Sequence, residues 1–254
     1  AIFLPFAGGF ARLATRIVPD RAPEQKELIR PSFLDDEVIQ VPSMALERAR
    51  MELGHMAELT EGMFAQAKSA FEAGAPCELT RQADQVLVLR EAVLDYLTHI
   101  GRSELSDAES AEYVRLVAAT GEIDAMSTAI ARELAPLARA VKDADLAPSP
   151  ETADLLQRLL QTIQETAHAA LRALVESDER AAQTVVATRA AILDLTAELQ
   201  RVQASRLAQD DPQRLIKHRL QLEIVDRLRR IHGVAEDMAL SVLPRSVLVA
   251  ELST

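Results

Sequence analysis

The sequence predicts an all-α protein made of two tandem antiparallel three-helix bundles, preceded by the end of a transmembrane helix. Three observations predict it. Apolar residues recur at alternating spacings of three and four, which places them on one face of a helix, and no stretch shows the period of two that marks a strand. A block also repeats: Arg90-Glu-Ala-Val-Leu-Asp95-Tyr-Leu returns 99 residues later as Arg189-Ala-Ala-Ile-Leu-Asp194-Leu-Thr. Each copy sits in the middle of three helical stretches. Solenoid periods are about 20–50 residues, so a repeat of this length points to a duplicated bundle.

Composition fits packed helices. Apolar residues make up 48% of the 254, aromatics only 3%, and Trp is absent, which leaves Leu, Ala, Val, Ile and Met to fill the core. The 28 basic against 39 acidic residues give a net charge of −11. That sign repels phosphate backbones and anionic lipid surfaces and argues against nucleic-acid binding. Cys77 is the only cysteine, so no internal disulfide and no CxxC metal or redox motif exists; the pattern suits a reducing compartment.

Residues 1–17 open with an uncharged apolar run, Ala1 to Ala11, followed by Arg12 and Arg16, with Arg21 beyond. The run is shorter than the roughly 20 residues a membrane span needs. Its positive charges follow the apolar stretch instead of preceding it, unlike a secretory signal. It reads as the C-terminal part of a transmembrane helix with the arginines on the cytoplasmic side; an amphipathic helix lying on the bundle is the alternative. Residues 18–41, with Pro19, Pro23 and Pro31, form a linker with room for one short turn near Asp35 to Ile39.

The first bundle spans residues 42–146. After Pro42 a heptad runs through Leu46, Ala49, Leu53, Met56, Thr60, Met63, Ala67 and Ala70, until Gly74-Ala-Pro76 stops it. The second helix, about Glu78 to Ile100, carries Leu79, Ala83, Val86, Val93, Leu97 and Ile100, and Gly101 is a C-cap candidate. Ser106 is placed to cap a third helix whose first turn holds Asp107 and Glu109. That helix reaches about Val141 and bends where Pro136 removes a hydrogen bond. The second bundle spans residues 147–245. Ser149 and Pro150 provide an N-cap and a first helical residue. Leu156, Leu160, Ile163, Ala167, Ala170 and Leu174 line its first helix, which breaks near Ser177-Asp178. The middle helix continues to about Leu207. Asp210-Asp211-Pro212 starts the last one, with a seam of Leu228, Ile231, Ala235, Met238 and Val242, ended by Pro244. Residues 246–254 are a tail. The restart of the heptads after Ala147 to Pro150 predicts two separately cored bundles packed together.

Three constellations could carry chemistry. Glu91 and Asp95, four apart and so on one helical face, could ligate a divalent cation weakly, with Asp124 of the following helix as a third carboxylate. Read plainly, they are a solvated acidic face beside Arg90. Glu52-Leu-Gly-His55 and Glu165-Thr-Ala-His168 have the Glu-x-x-His spacing of di-iron bundles, but they flank the apolar seam and lie in different halves. Asp226-Arg-Leu-Arg-Arg230-Ile-His232 is a basic run able to hold phosphate or an acidic loop, unless Glu223, Glu236 and Asp237 neutralise it. No Gly-rich phosphate loop, nucleophile elbow or catalytic triad spacing is present, so nothing calls for an enzyme.

Phe33-Leu34-Asp35, Pro42, Ala45-Leu46, Ala49 and Glu52 resemble the junction that follows the membrane domain of bacterial sodium/phosphate cotransporters and leads into their PhoU-like cytoplasmic domain. The duplicated three-helix units are similar to PhoU itself. The resemblance implies a regulatory or assembly module on the cytoplasmic side of the inner cell membrane. Its partner would be the membrane domain of the same polypeptide, through which sodium and phosphate enter the picture; homo-oligomerisation is compatible with it. A free-standing PhoU-type phosphate-signalling adaptor is the runner-up, and a di-iron enzyme a third reading. PhoU proteins carry metal-binding acidic pairs at i, i+4 on the second and third helices of each repeat. Of these only Glu91/Asp95 is intact, since the repeat partner is Ala190/Asp194 and the last helix offers Asp226/Arg230 or Arg229/Gly233. The resemblance therefore implies no certain cofactor, and at most a weakly bound divalent metal in the first repeat.

Overall fold

The computed structural model describes residues 29–74, 77–143, 148–207 and 214–244. The transmembrane reading of 1–17, the start of the linker, the Asp210–Pro212 helix start and the tail lie outside the described residues. No described helix is long and apolar enough to cross a membrane.

Among the described residues every regular element is helical. A single 3₁₀ turn, Asp36–Val38, precedes helix α1, Pro42–Ala73, and is capped by the Asp35 carboxylate on the Glu37 N–H at 2.9 Å. The eight α1 seam positions are all 4% exposed or less, Thr60 included, because its hydroxyl is satisfied by the Met56 carbonyl at 2.9 Å. Gly74 ends α1 in the left-handed conformation at φ 61°, which glycine adopts without steric cost. Helix α2, Thr80–Ile100, ends on Gly101, but with right-handed φ −64°. A Cβ there would lie 3.1 Å from the Tyr113 hydroxyl, so a larger residue would push that ring aside by a few tenths of an ångström.

Helix α3, Asp107–Ala129, begins with a full capping box between Ser106 and Glu109. It runs through a π-helical turn, Ile130–Leu134, into α4, Ala135–Asp143. Pro136 explains the turn. It lacks an N–H, and its ring would collide with the carbonyl four residues back in a regular helix. The turn widens instead, and the Ala135 N–H donates to Ile130, five residues earlier.

Helix α5, Pro150–Glu176, starts as the sequence suggests, with Ser149 accepting the Thr152 N–H at 3.2 Å and Pro150 in the first turn. Ser177 stops it at φ 55° and Asp178 caps α6, Glu179–Ala187, through the Arg180 and Ala181 N–H groups. Helix α7, Arg189–Leu207, follows after one broken residue, Thr188, so the middle helix of the second bundle is in two pieces. Helix α8, Arg214–Val242, closes the fold.

In the first bundle α1, α2 and α3 pack on one another; in the second, α8 packs on α5, α6 and α7. The halves meet where α1 lies against α5, and where α3 and its π turn lie against α8. Buried residues from Ala45 to Leu243 form one contiguous hydrophobic cluster across that seam. The expectation of two separate cores therefore gives way to a shared one. Small residues on α1 (Ala45, Ala49, Ala57) and on α5 (Ala167, Ala170, Ala173) are nearly fully buried, and short side chains let packed helices come close.

Candidate functional site

The best-built polar arrangement lies where the chain enters the first bundle. Glu52, about three turns into α1, is fully buried. One carboxylate oxygen accepts the Ser32 N–H at 2.8 Å and the Phe33 N–H at 2.7 Å, and the other meets His55 Nδ1 at 2.8 Å. A buried carboxylate is stable only when its oxygens are satisfied, and here two backbone donors and an imidazole do it. Pro31 precedes these donors in a segment with no helix or sheet to engage them. The Phe33 ring stands edge-on to His55 with centroids 6.3 Å apart. The Tyr96 hydroxyl of α2 donates to the Asp35 carbonyl at 2.8 Å, and burial raises its phenol above the ordinary value. Residues 29–41 are thus strapped to α1 and α2.

A second arrangement lies at the seam between the halves. A cleft of about 300 Å³ opens there, floored by Phe64, Met126, Ile130 and Leu171 and rimmed by Glu61, Gln161, Gln164, Glu165 and His168. His168 Nδ1 meets Glu61 at 2.8 Å across it.

Among the residues singled out from the sequence, Glu91 and Asp95 are exposed on α2. Asp124 turns to Arg90, with 3.5 Å between Nε and the carboxylate. Burial raises the Asp124 carboxyl above its ordinary value, against the pull of Arg90 and Arg132. No group of three or more His, Cys, Asp or Glu side chains able to hold a metal forms among the described residues. Asp124 is thus engaged by the arginine that opens the repeated block, while Glu91 and Asp95 face solvent.

The two Glu-x-x-His motifs do not converge either. Glu52 and His55 serve the strap, His168 pairs with Glu61, and Glu165 accepts from Gln161. In the basic run, Arg227 and Arg230 share Glu133 of the π turn at 3.5 and 3.4 Å. His232 is buried beside Glu236, which also receives Arg189 Nε at 2.7 Å.

Two features were present in the sequence without being read. Arg90 and Arg189 are identical in both copies of the block, and both reach a carboxylate on the third helix of their own bundle: Asp124 and Glu236. Glu52 stands beside the apolar Leu53, one step from the heptad line, downstream of a proline-rich segment whose N–H groups need acceptors.

No family model matches the chain. It is 26% identical over 243 residues to the "Putative inorganic phosphate export protein YjbB" of Salmonella typhimurium, and 24% identical over 245 residues to that of Escherichia coli K12. These matches cover 94% and 95% of this chain, yet the chain spans only 44% and 45% of those relatives. Among solved structures, the crystal structure of PhoU from Pseudomonas aeruginosa superposes with a TM-score of 0.65 at 18% identity, over 78% of this chain and 94% of that one. The chain has the PhoU fold. The PhoU-like architecture expected from the sequence is the one observed.

Proposed function

We propose that the chain is the PhoU-like regulatory module of a phosphate-transport protein, working on the cytoplasmic side of the inner membrane and coupled to a sodium-driven membrane domain of the same polypeptide. The observation that carries this reading is the extent of the similarity to YjbB: nearly all of this chain corresponds to less than half of that protein. The strap supports it. A module that biases a membrane domain needs a stiff connection, and residues 29–41 are held by Glu52 and Tyr96 rather than left free. Its work would be binding and mechanical coupling, not catalysis.

The test is radiolabelled phosphate flux in cells carrying the natural gene, compared with cells whose copy lacks the codons for residues 42–244. Altered flux that follows the sodium gradient is the expected result. Flux identical in both strains at every sodium concentration would overturn the reading. The match to 94% of a PhoU chain favours one alternative, a free-standing PhoU-like adaptor. That protein would remain in the supernatant when membranes are pelleted.

A further inference from the structure

We propose that the outer face of α3 is a dimer contact, on which a second copy of this chain lays its own α3 antiparallel about a two-fold axis. The proposal is independent of the phosphate reading.

Helix α3 is apolar on two opposite sides. Leu116, Ala119, Ile123 and Met126 enter the core and are at most 3% exposed. On the other side Ala111, Val114, Ala118, Gly121 and Ala125 recur at alternating spacings of three and four, the pattern of a helix–helix seam, and all five are exposed. Val114 is 64% exposed and Val117, beside the line, 36%. Half-buried Leu87 and Leu94 extend the face onto α2: they stand three and four residues from Arg90, which reaches Asp124, two turns along α3 from Val117. A helix that is hydrophobic all round belongs in an interior. One side of this one meets water, and branched hydrocarbon gathered there marks a contact surface.

Gly121 points to a facing helix. Glycine weakens a helix interior relative to alanine, and a Cβ at Gly121 would meet nothing within 4 Å in its own chain. Gly62 and Gly233 are equally open, but Glu58 and Gln66 neighbour the first along its helix, and Arg229 and Asp237 the second. Gly121 lies between Val117, Ala118 and Ala125. The missing side chain there leaves a hollow in an apolar line, which lets another helix approach closely.

Shape and charge select the occupant and its direction. In an antiparallel pair with Ala118 on the axis, Ala111 faces Ala125 of the second copy and Val114 faces its Gly121, bulk against hollow. The ends match as well. Exposed Glu104 and Asp107, at the start of α3, come opposite exposed Arg132 of the π turn at its end, and the symmetry makes that contact twice. A parallel pair would set Val114 on Val114, hollow on hollow, and Arg132 against Arg132, with the helix dipoles aligned unfavourably. The seam from Ala111 to Ala125 is only about 21 Å long, so the interface falls below the standard size and association is weak. The charge of −11 on each copy opposes it further at long range.

The test uses the 254-residue chain at 0.15 M salt, where repulsion is screened beyond about 8 Å. Sedimentation velocity is expected to show a monomer–dimer equilibrium at about 100 μM. Val114→Asp should weaken it at least about tenfold, with circular dichroism and melting temperature unchanged because the site is exposed. Engineered cysteines fix the geometry against the background of Cys77, which is buried. Ala118→Cys should give a disulfide-linked dimer on mild oxidation, since Cα atoms about 4–7 Å apart can be bridged. Ala111→Cys and Ala125→Cys should link to each other in a mixture and neither to itself. Self-linking of Ala111→Cys, failure of Ala118→Cys to link, association indifferent to Val114→Asp, or a native chain still monomeric at about 1 mM would each overturn the proposal.

Discussion

The middle helices of the two bundles carry the same repeated block and are built differently. In the first, the residue just before the block is Leu89, fully buried, and α2 runs unbroken for 21 residues. In the second it is Thr188, and the helix snaps there. The Thr188 hydroxyl accepts from or donates to three neighbours: the Val185 carbonyl at 2.6 Å, Thr166 Oγ1 at 3.2 Å and His232 Nε2 at 3.4 Å. Its N–H turns to Val185 as well, three residues back instead of four. One hydroxyl in place of a branched hydrocarbon thus replaces core packing by a polar network that also draws in Glu236 and Arg189. Both blocks thus hold the arginine and its cross-helix carboxylate, while the layer beneath them differs. The first bundle relies on hydrocarbon there, and the second on hydrogen bonds.

The largest expected effect tests that contrast directly. Leu89→Ala should cost about 2–5 kcal/mol, the usual range for emptying a buried leucine site, measured by denaturant unfolding. Thr188→Ala should cost only about 1–2 kcal/mol, since it removes hydrogen bonds of modest net worth and leaves His232 short of a partner. Equal costs would break the comparison. Because the core is continuous, both variants should still unfold in one transition. A second, independent transition in either would mean the bundles are separately stable after all.

The strap sharpens the difference, because it belongs to the first bundle alone among the described residues. Glu52→Ala removes the acceptor of two N–H groups and the partner of His55, and bonds to a charged group are each worth about 1.5–3 kcal/mol. The loss of a buried charge offsets part of that, so about 2 kcal/mol is expected. Hydrogen exchange gives the sharper readout: the Ser32 and Phe33 amides should lose protection while α5 and α8 amides keep theirs. Protection unchanged at Ser32 would show that Tyr96 and the Phe33 packing hold the segment without the carboxylate.

Much of this architecture was legible in the sequence, for identifiable reasons. Every position named by the α1 heptad is buried, although Ala45, Glu52, Ala57 and Phe64 are buried beside them, and Ser106, Ser149 and Ser177-Asp178 marked their helix ends, because capping chemistry is local. In α5 the seam was drawn too narrow. Leu156 and Leu174 are only partly buried, whereas Leu155, Leu159 and Leu171 are at most 3% exposed; α5 faces α1 as well as its own bundle, and an isolated-bundle pattern cannot show that second face. The break at Thr188 was not legible, since threonine is tolerated in helices and its partners come from α5 and α8, 22 and 44 residues away. The pairing of Arg90 with Asp124 was not legible either, because it joins α2 to α3 and no spacing along one helix shows it.

The smallest expected effect is a pH dependence confined to the second bundle's network. Burial holds the His232 imidazolium unfavourable and lowers its pKa below the ordinary 6.5; Arg189 acts in the same direction, and Glu236 opposes both. Above pH 6.5 the ring is neutral in the folded and the unfolded chain, and the histidine contributes its full packing and hydrogen bonds. As pH falls through 6.5 the unfolded chain takes up the proton first, so the folded state loses stability progressively, until the folded ring is protonated too. The measurement is the unfolding free energy from pH 7.5 to pH 5 for the native sequence and for His232→Gln. Other histidines and carboxylates titrate in both proteins, so the difference between the two curves isolates His232. That difference should shrink or reverse toward pH 5, where the native protein gives up what the variant cannot lose. Leu89 offers no such handle, and Leu89→Ala should therefore lower the whole curve by the same amount at every pH. A difference curve for His232→Gln as flat as that of Leu89→Ala would mean that Glu236 compensates the buried charge, and that the two middle helices differ in packing but not in their response to protons.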